Sequence, residues 1–174
     1  TRADINRFLE YPENSAGSVM TNEMVELHDT VTAGDAISFI RHHGVDKETI
    51  YNCYVIDSQR HLEGVLPLRR LLLAQDSSPV RDLMDDDRQV ISVGTLEDQE
   101  AVADIARKYD LLAVPVVDRE NRLVGIITID DIVDIIEDEN TEDFEKMALL
   151  QPAEDTYLKT GVFTLARNRI VWLM

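Results

Sequence analysis

Several protein classes are excluded by what this chain has little of. Cys53 is its one cysteine, so an intrachain disulfide or a cysteine-based zinc cage is impossible, and a reducing compartment fits. Basic residues are scarce: 17 Lys and Arg stand against 34 Asp and Glu, for a net charge of −17. That self-repulsion disfavours nucleic acid and anionic lipid as partners and favours cations. No apolar run is long enough to span a bilayer, and nothing at Thr1 reads as a signal peptide. A glycine-rich phosphate loop is missing, and His28, His42, His43 and His61 have no nucleophile or ligand partner at a meaningful spacing, which argues against an enzyme. What remains is 174 residues, 44% of them hydrophobic, enough for a real core.

The chain matches itself. Ser18-Val19-Met20 corresponds to Asp82-Leu83-Met84, and Thr30-Val31 before Asp35-Ala36 to Thr95-Leu96 before Glu100-Ala101. Val55-Ile56-Asp57 followed by Leu62-Glu63-Gly64-Val65-Leu66 matches Val116-Val117-Asp118 followed by Leu123-Val124-Gly125-Ile126-Ile127. A period of roughly 60 to 65 residues is a supersecondary unit used twice, and two such units should share one core. Each copy reads β-α-β-β-α. In the second, a strand near Val90–Val93 precedes a helix that starts at Thr95, whose hydroxyl pairs with Asp98 in a capping-box pattern. Val102, Ile105 and Tyr109 form the helix's expected inward stripe. Strands Ala113–Val117 and Leu123–Ile127 flank a polar turn at Asp118–Arg122. The closing helix Ile129–Glu139 groups Ile129, Ile132, Val133 and Ile136 on one face.

These blocks resemble the CBS domain, which is named for cystathionine β-synthase and occurs in tandem pairs. The resemblance covers about Ser15 to Glu139, and its most specific part is Leu123 through Asp131 following Val114-Pro115-Val116-Val117-Asp118. It implies an α/β (α+β) tandem pair acting as a regulatory module, with an adenine nucleotide such as ATP in the cleft. Thr128 and Asp131 fit the family's ribose and phosphate contact, a hydroxyl and a carboxylate one turn apart at a helix N-terminus. Thr128 equally suits a helix cap. The first copy departs from the pattern, with Pro67 and Arg70 at the matching positions.

The second copy also concentrates acids. Asp130, Asp131, Asp134, Glu137 and Asp138 lie opposite the isoleucines, and Glu139, Glu142, Asp143 and Glu145 continue the run. Like charges one turn apart cost a few tenths of a kcal/mol each, which a divalent cation relieves. Asp98, Glu100, Asp104 and Asp110 on the preceding helix could add oxygens. Magnesium suits such a set, holding one or two carboxylates and several waters; the run has neither the EF-hand pattern of a calcium loop nor the ligands zinc or copper need. A solvated acidic face kept for solubility is the alternative.

After Pro152 the composition turns basic and apolar, ending in Ile170-Val171-Trp172-Leu173-Met174. This reads as a cytoplasmic segment entering a transmembrane helix, or as an amphipathic helix packed on the module or a second subunit. With Ser18-Val19-Met20-Thr21, Glu48-Thr49-Ile50-Tyr51, Asp98-Gln99-Glu100, Tyr109-Asp110, Asp130-Asp131-Ile132-Val133-Asp134 and Thr141-Glu142-Asp143, the chain resembles the MgtE-type magnesium transporter family from about Tyr11 to Met174. That resemblance implies a magnesium-binding homodimer at the cytoplasmic face of the cell membrane, a connecting plug helix over about Asp155–Met174, and a transmembrane domain of the same polypeptide. By motif it implies the ligands Asp98, Glu100, Asp110, Asp131, Asp134, Glu139, Glu142 and Asp143. The expected organisation is a linker or domain end at 1–14, repeats at 15–78 and 79–140, and a connecting helix at 141–174. An adenine-nucleotide-binding regulator of another membrane protein or enzyme is the competing reading.

Overall fold

A computed structural model describes residues 11–84 and 90–147, without the side chains of residues 142, 143 and 145–147. In repeat 1, helix α1 (Ala16–Val19) leads into strand β1 (Val25–His28), helix α2 (Ala33–His43), strands β2 (Asn52–Ile56) and β3 (Leu62–Pro67), and helix α3 (Leu68–Leu73). Repeat 2 follows with strand β4 (Val93–Gly94), helix α4 (Gln99–Tyr109), strands β5 (Ala113–Val117) and β6 (Leu123–Thr128), and helix α5 (Ile129–Met147). A 3-10 turn over Val80–Leu83 stands before repeat 2 where α1 stands before repeat 1. Each repeat thus has the β-α-β-β-α order read from its sequence.

The two sheets are built alike. β1 runs parallel to β2, which pairs antiparallel with β3; β4, β5 and β6 repeat this order. The central strands are buried on both faces, which explains their continuous apolar runs. Cys53 and Val55 face the core of repeat 1 with Leu27, Ala36, Leu66 and Leu71. Tyr54 and Ile56 point the other way, into a second core where Met24 and Leu62 meet Ala113, Val117, Leu123 and Ile126 of repeat 2. That shared core joins the copies, each fully buried large aliphatic side chain contributing about 1.5–3 kcal/mol of transfer free energy.

The hairpin turns are matched as well. Asp57 Oδ1 accepts from the amides of Gln59 and His61, and Asp118 Oδ1 from those of Glu120 and Arg122. Arg60 and Asn121 follow at φ 70 and 61, the left-handed residues that close these turns. The turns then clasp each other: Leu62 N donates to Asn121 O at 3.1 Å and Leu123 N to Arg60 O at 3.0 Å.

The segments leading into the repeats are exchanged. The lead-in to repeat 1 bonds to repeat 2: Ala16 N donates to Glu97 O, Gly17 N to Thr95 O, and Thr21 and Ile126 exchange both backbone bonds. The lead-in to repeat 2 bonds to repeat 1, with Ala33 N on Ser78 O, Gly34 N on Asp76 O, and Val80 N on Val31 O. Met20 consequently lies over Gly125, and Met84 over Gly64, where a side chain at either glycine would collide with the thioether.

Five local expectations change. β4 is confined to Val93–Gly94 rather than beginning at Val90. α4 starts at Gln99, and Asp98 itself caps it, accepting from Glu100 N, while Thr95 is buried behind it. Its inward face is Val102, Ala103 and Ala106, and Tyr109 is exposed. On α5, Ile132 and Ile135 are buried but Ile129 and Val133 are exposed. α5 runs unbroken to Met147, past the expected repeat boundary at residue 140; the described residues up to Ile132 form one compact unit and a second begins at Val133. The expected connecting helix over Asp155–Met174 lies outside the described residues.

Candidate functional site

Thr128 ends β6, buried at 4% exposure, and its Oγ1 donates to Asp131 Oδ2 at 2.7 Å. β6 delivers Thr128 into the interior, while the first turn of α5 brings Asp131 back over it. A hydroxyl and a carboxylate are thereby held together at a helix N-terminus, where the dipole favours a polyhydroxy or anionic group. In repeat 1 the arrangement is absent. Pro67 offers no side-chain cap to α3, and Arg70 donates to Leu83 O at 3.0 Å, across to the lead-in of repeat 2.

The acidic candidates occupy separate places. Asp98 caps the N-terminus of α4 with Glu100 exposed in its first turn, whereas Asp110 caps the C-terminus in a left-handed conformation, φ 52. The twelve-residue rise between those caps is about 18 Å, so Asp98 and Asp110 cannot ligate one ion within a chain. Asp104 is taken by Arg107 at 2.7 Å. Asp131 is held by Thr128. Asp134 is exposed and Glu139 partly buried on α5; the side chains of Glu142 and Asp143 lie outside the described residues. Among the described residues, no three of His, Cys, Asp and Glu converge as a metal cage.

Other groups surface only in the structure. Tyr54 is fully buried and its hydroxyl has no hydrogen-bond partner. Burial holds that phenol well above its ordinary range, with the neighbouring Cys53 adding to the shift. Cys53 is itself pushed up to about 12 by burial, which makes it an inert core thiol. In the self-match the residue of repeat 2 that corresponds to Tyr54 is Pro115, which has no hydroxyl. A cleft of about 560 Å³ beside the hairpin clasp is lined by Met24, Glu26, Arg60, Asp118, Arg122 and Leu123 among others. Its guanidiniums are matched by acids: Arg60 by Glu26 at 2.6 Å, and Arg122 by Asp118 of the lining and by Glu120 beside it, both at 2.9 Å. The bond from the His61 ring holds Asp57 below the usual carboxylate range. Desolvation is the largest influence on Asp118 and pushes it up, but the bonds from Arg122 and the Glu120 amide together hold it low.

Two three-stranded sheets that share a core, with a Thr-x-x-Asp pair at the last helix, define a paired-repeat module. The chain belongs to the CBS domain family, which it matches over residues 16–77 and 80–138. More particularly, it is a CBS pair with high-identity matches to magnesium transporters. It is 39% identical over 174 residues, 100% of its length, to the magnesium transporter MgtE of Thermus thermophilus, and 39% over 170 residues to that of Bacillus subtilis. It spans 38% and 37% of those relatives. A crystal structure of the cytosolic domain of the Mg2+ channel MgtE in complex with ATP superposes with a TM-score of 0.74 at 41% identity, covering 77% of this chain and 53% of that one. No helix among the described residues is long and apolar enough to cross a membrane.

Proposed function

We propose that this chain is the magnesium-sensing regulatory region of a magnesium transporter, set at the cytoplasmic face of the membrane. It controls a pore formed by a transmembrane domain of the same polypeptide. The observation that carries this reading is a match to MgtE along the whole chain, past the repeats themselves. The chemistry supports it. Magnesium needs few protein oxygens, and a net charge of −17 favours a divalent cation over any anion. Asp98, Glu100, Asp110, Asp131, Asp134, Glu139, Glu142 and Asp143, which make no metal cage among the described residues of one chain, are then half-sites that ions bridge to an apposed surface.

A second copy of the chain is the proposed apposed surface. Two pairs of equivalent positions stay apolar and exposed in both repeats: Tyr51 at 70% with Leu112 at 56%, and Leu72 at 59% with Val133 at 46%. The equivalence is structural, since Leu68 N donates to Tyr51 O as Ile129 N does to Leu112 O. Apolar groups left in water twice over suit a homodimer face. High magnesium neutralises apposed carboxylates and favours a closed dimer, which the proposed plug helix over Asp155–Met174 passes to the pore. A ligand shifts such an equilibrium only through its differential affinity, so the ions bind surfaces apposed in the closed state alone.

ATP is a second ligand favoured by one observation, the Thr128–Asp131 pair held ready at 2.7 Å. Solution scattering separates the two ligands. Asp134→Ala with Glu139→Ala abolishes magnesium-driven compaction while calorimetry still detects ATP; Thr128→Val does the reverse. Compaction that survives the double substitution contradicts the assignment of Asp134 and Glu139.

A further inference from the structure

We infer that the lead-in segment Asn14–Thr21 is a strap that mechanically belongs to repeat 2, although it precedes repeat 1 in the chain. Four places fasten it. Gln99 N donates to Asn14 O at 2.9 Å, Ala16 N to Glu97 O at 2.7 Å and Gly17 N to Thr95 O at 2.8 Å. Thr21 and Ile126 exchange two backbone bonds, each 2.8 Å. Ser15 pairs across to Asp98, the cap of α4, and Met20 is seated on Gly125.

Its counterpart, Asp76–Met84, is fastened to repeat 1 in the same way, pairing Pro79 with Thr32, the cap of α2. That internal lead-in has both ends inside the pair. The Asn14–Thr21 strap is entered through Tyr11, whose ring lies against Gly17. A displacement of the strap therefore reaches the N-terminus of α4, with Asp98 and Glu100, and β6, which carries Thr128. The device rests on backbone hydrogen bonds and stands whether or not the cation reading holds.

Amide hydrogen exchange on the whole chain tests it. Gln99 opens α4, after Asp98 in an extended conformation, so proline fits sterically there and removes, besides the side chain, the N–H that donates to Asn14 O. Gln99→Ala serves as the control for the side chain. The expected result is that Ala16 and Gly17 amides exchange about tenfold faster in Gln99→Pro than in Gln99→Ala, with Cys53–Ile56 amides unchanged. Ala16→Pro, which removes a bond from the strap's side, speeds exchange in the first turn of α4. Unchanged rates at Ala16 and Gly17, or equal acceleration in β2, overturn the inference. So does an Ala16→Pro variant whose first turn of α4 is unaffected.

Discussion

Replacing Gly125 by alanine would set a methyl carbon 2.8 Å from Met20 Sδ, 2.8 Å from Thr21 O and 3.0 Å from Met20 Cγ. Ordinary carbon contacts lie near 3.5–4.0 Å, so something must move. Met20 can turn, but Thr21 O cannot retreat freely because Ile126 N bonds to it at 2.8 Å. Overpacking of this kind costs about 1–3 kcal/mol, and a strained backbone hydrogen bond adds about 1 kcal/mol. For a chain of this size, roughly 2–4 kcal/mol lowers Tm by about 4–16 °C. Gly64→Ala is the internal control. There the three atoms nearest the methyl group all belong to the side chain of Met84, which is flexible and partly exposed, so the expected cost is about 1 kcal/mol or less. Among the described residues no glycine has positive φ, so backbone strain does not confound the comparison. Urea denaturation followed by circular dichroism measures both, with m unchanged as the check on two-state behaviour. Equal losses for the two variants, or a larger loss at Gly64, would refute the claim that Thr21 O makes the junction at Gly125 rigid.

Tyr54→Phe removes a buried hydroxyl with no partner and is expected to stabilise the fold by about 1–3 kcal/mol; a lower Tm would mean that the hydroxyl has a partner in solution. Asp57 and Asp118 are both held below their ordinary range, so each stabilises the fold fully above the unfolded carboxylate pKa, about 3.9. That contribution is lost as pH falls through the folded value, and Asp118→Asn is expected to flatten the acid limb of a stability profile below about pH 4. Cys53, fully buried with its pKa near 12, should not react with a thiol reagent at pH 8 until the chain unfolds; rapid native labelling would contradict its placement in the core.

Much of this fold was legible because its strands announce themselves. Val114–Val117 and Leu123–Ile127 are too apolar to face water, and the Asp118 turn between them is closed by its own carboxylate. The Thr128–Asp131 pair was legible from helical spacing alone. The cap of α4 was misassigned because Thr95 and Asp98 both suit that role; burial of Thr95 against the strap decides it. Tyr109 and Val133 sit at helical positions that periodicity assigns inward, yet an apolar stripe cannot say whether its own chain or another covers it. The exchange of lead-ins was not legible at all. Self-comparison matches Met20 with Met84 and Gly64 with Gly125, whereas folding puts each methionine on the other copy's glycine. Nor can a sequence show that Asp98 and Asp110, twelve residues apart, stand at opposite ends of one helix.

The central claim, that magnesium ions close this module by bridging separated carboxylates, is tested most directly by limited proteolysis at matched ionic strength. The account predicts that millimolar magnesium protects the chain while a potassium salt of equal ionic strength does not. Equal protection in the two salts would mean that screening of the −17 charge accounts for the effect, and would contradict specific magnesium sensing.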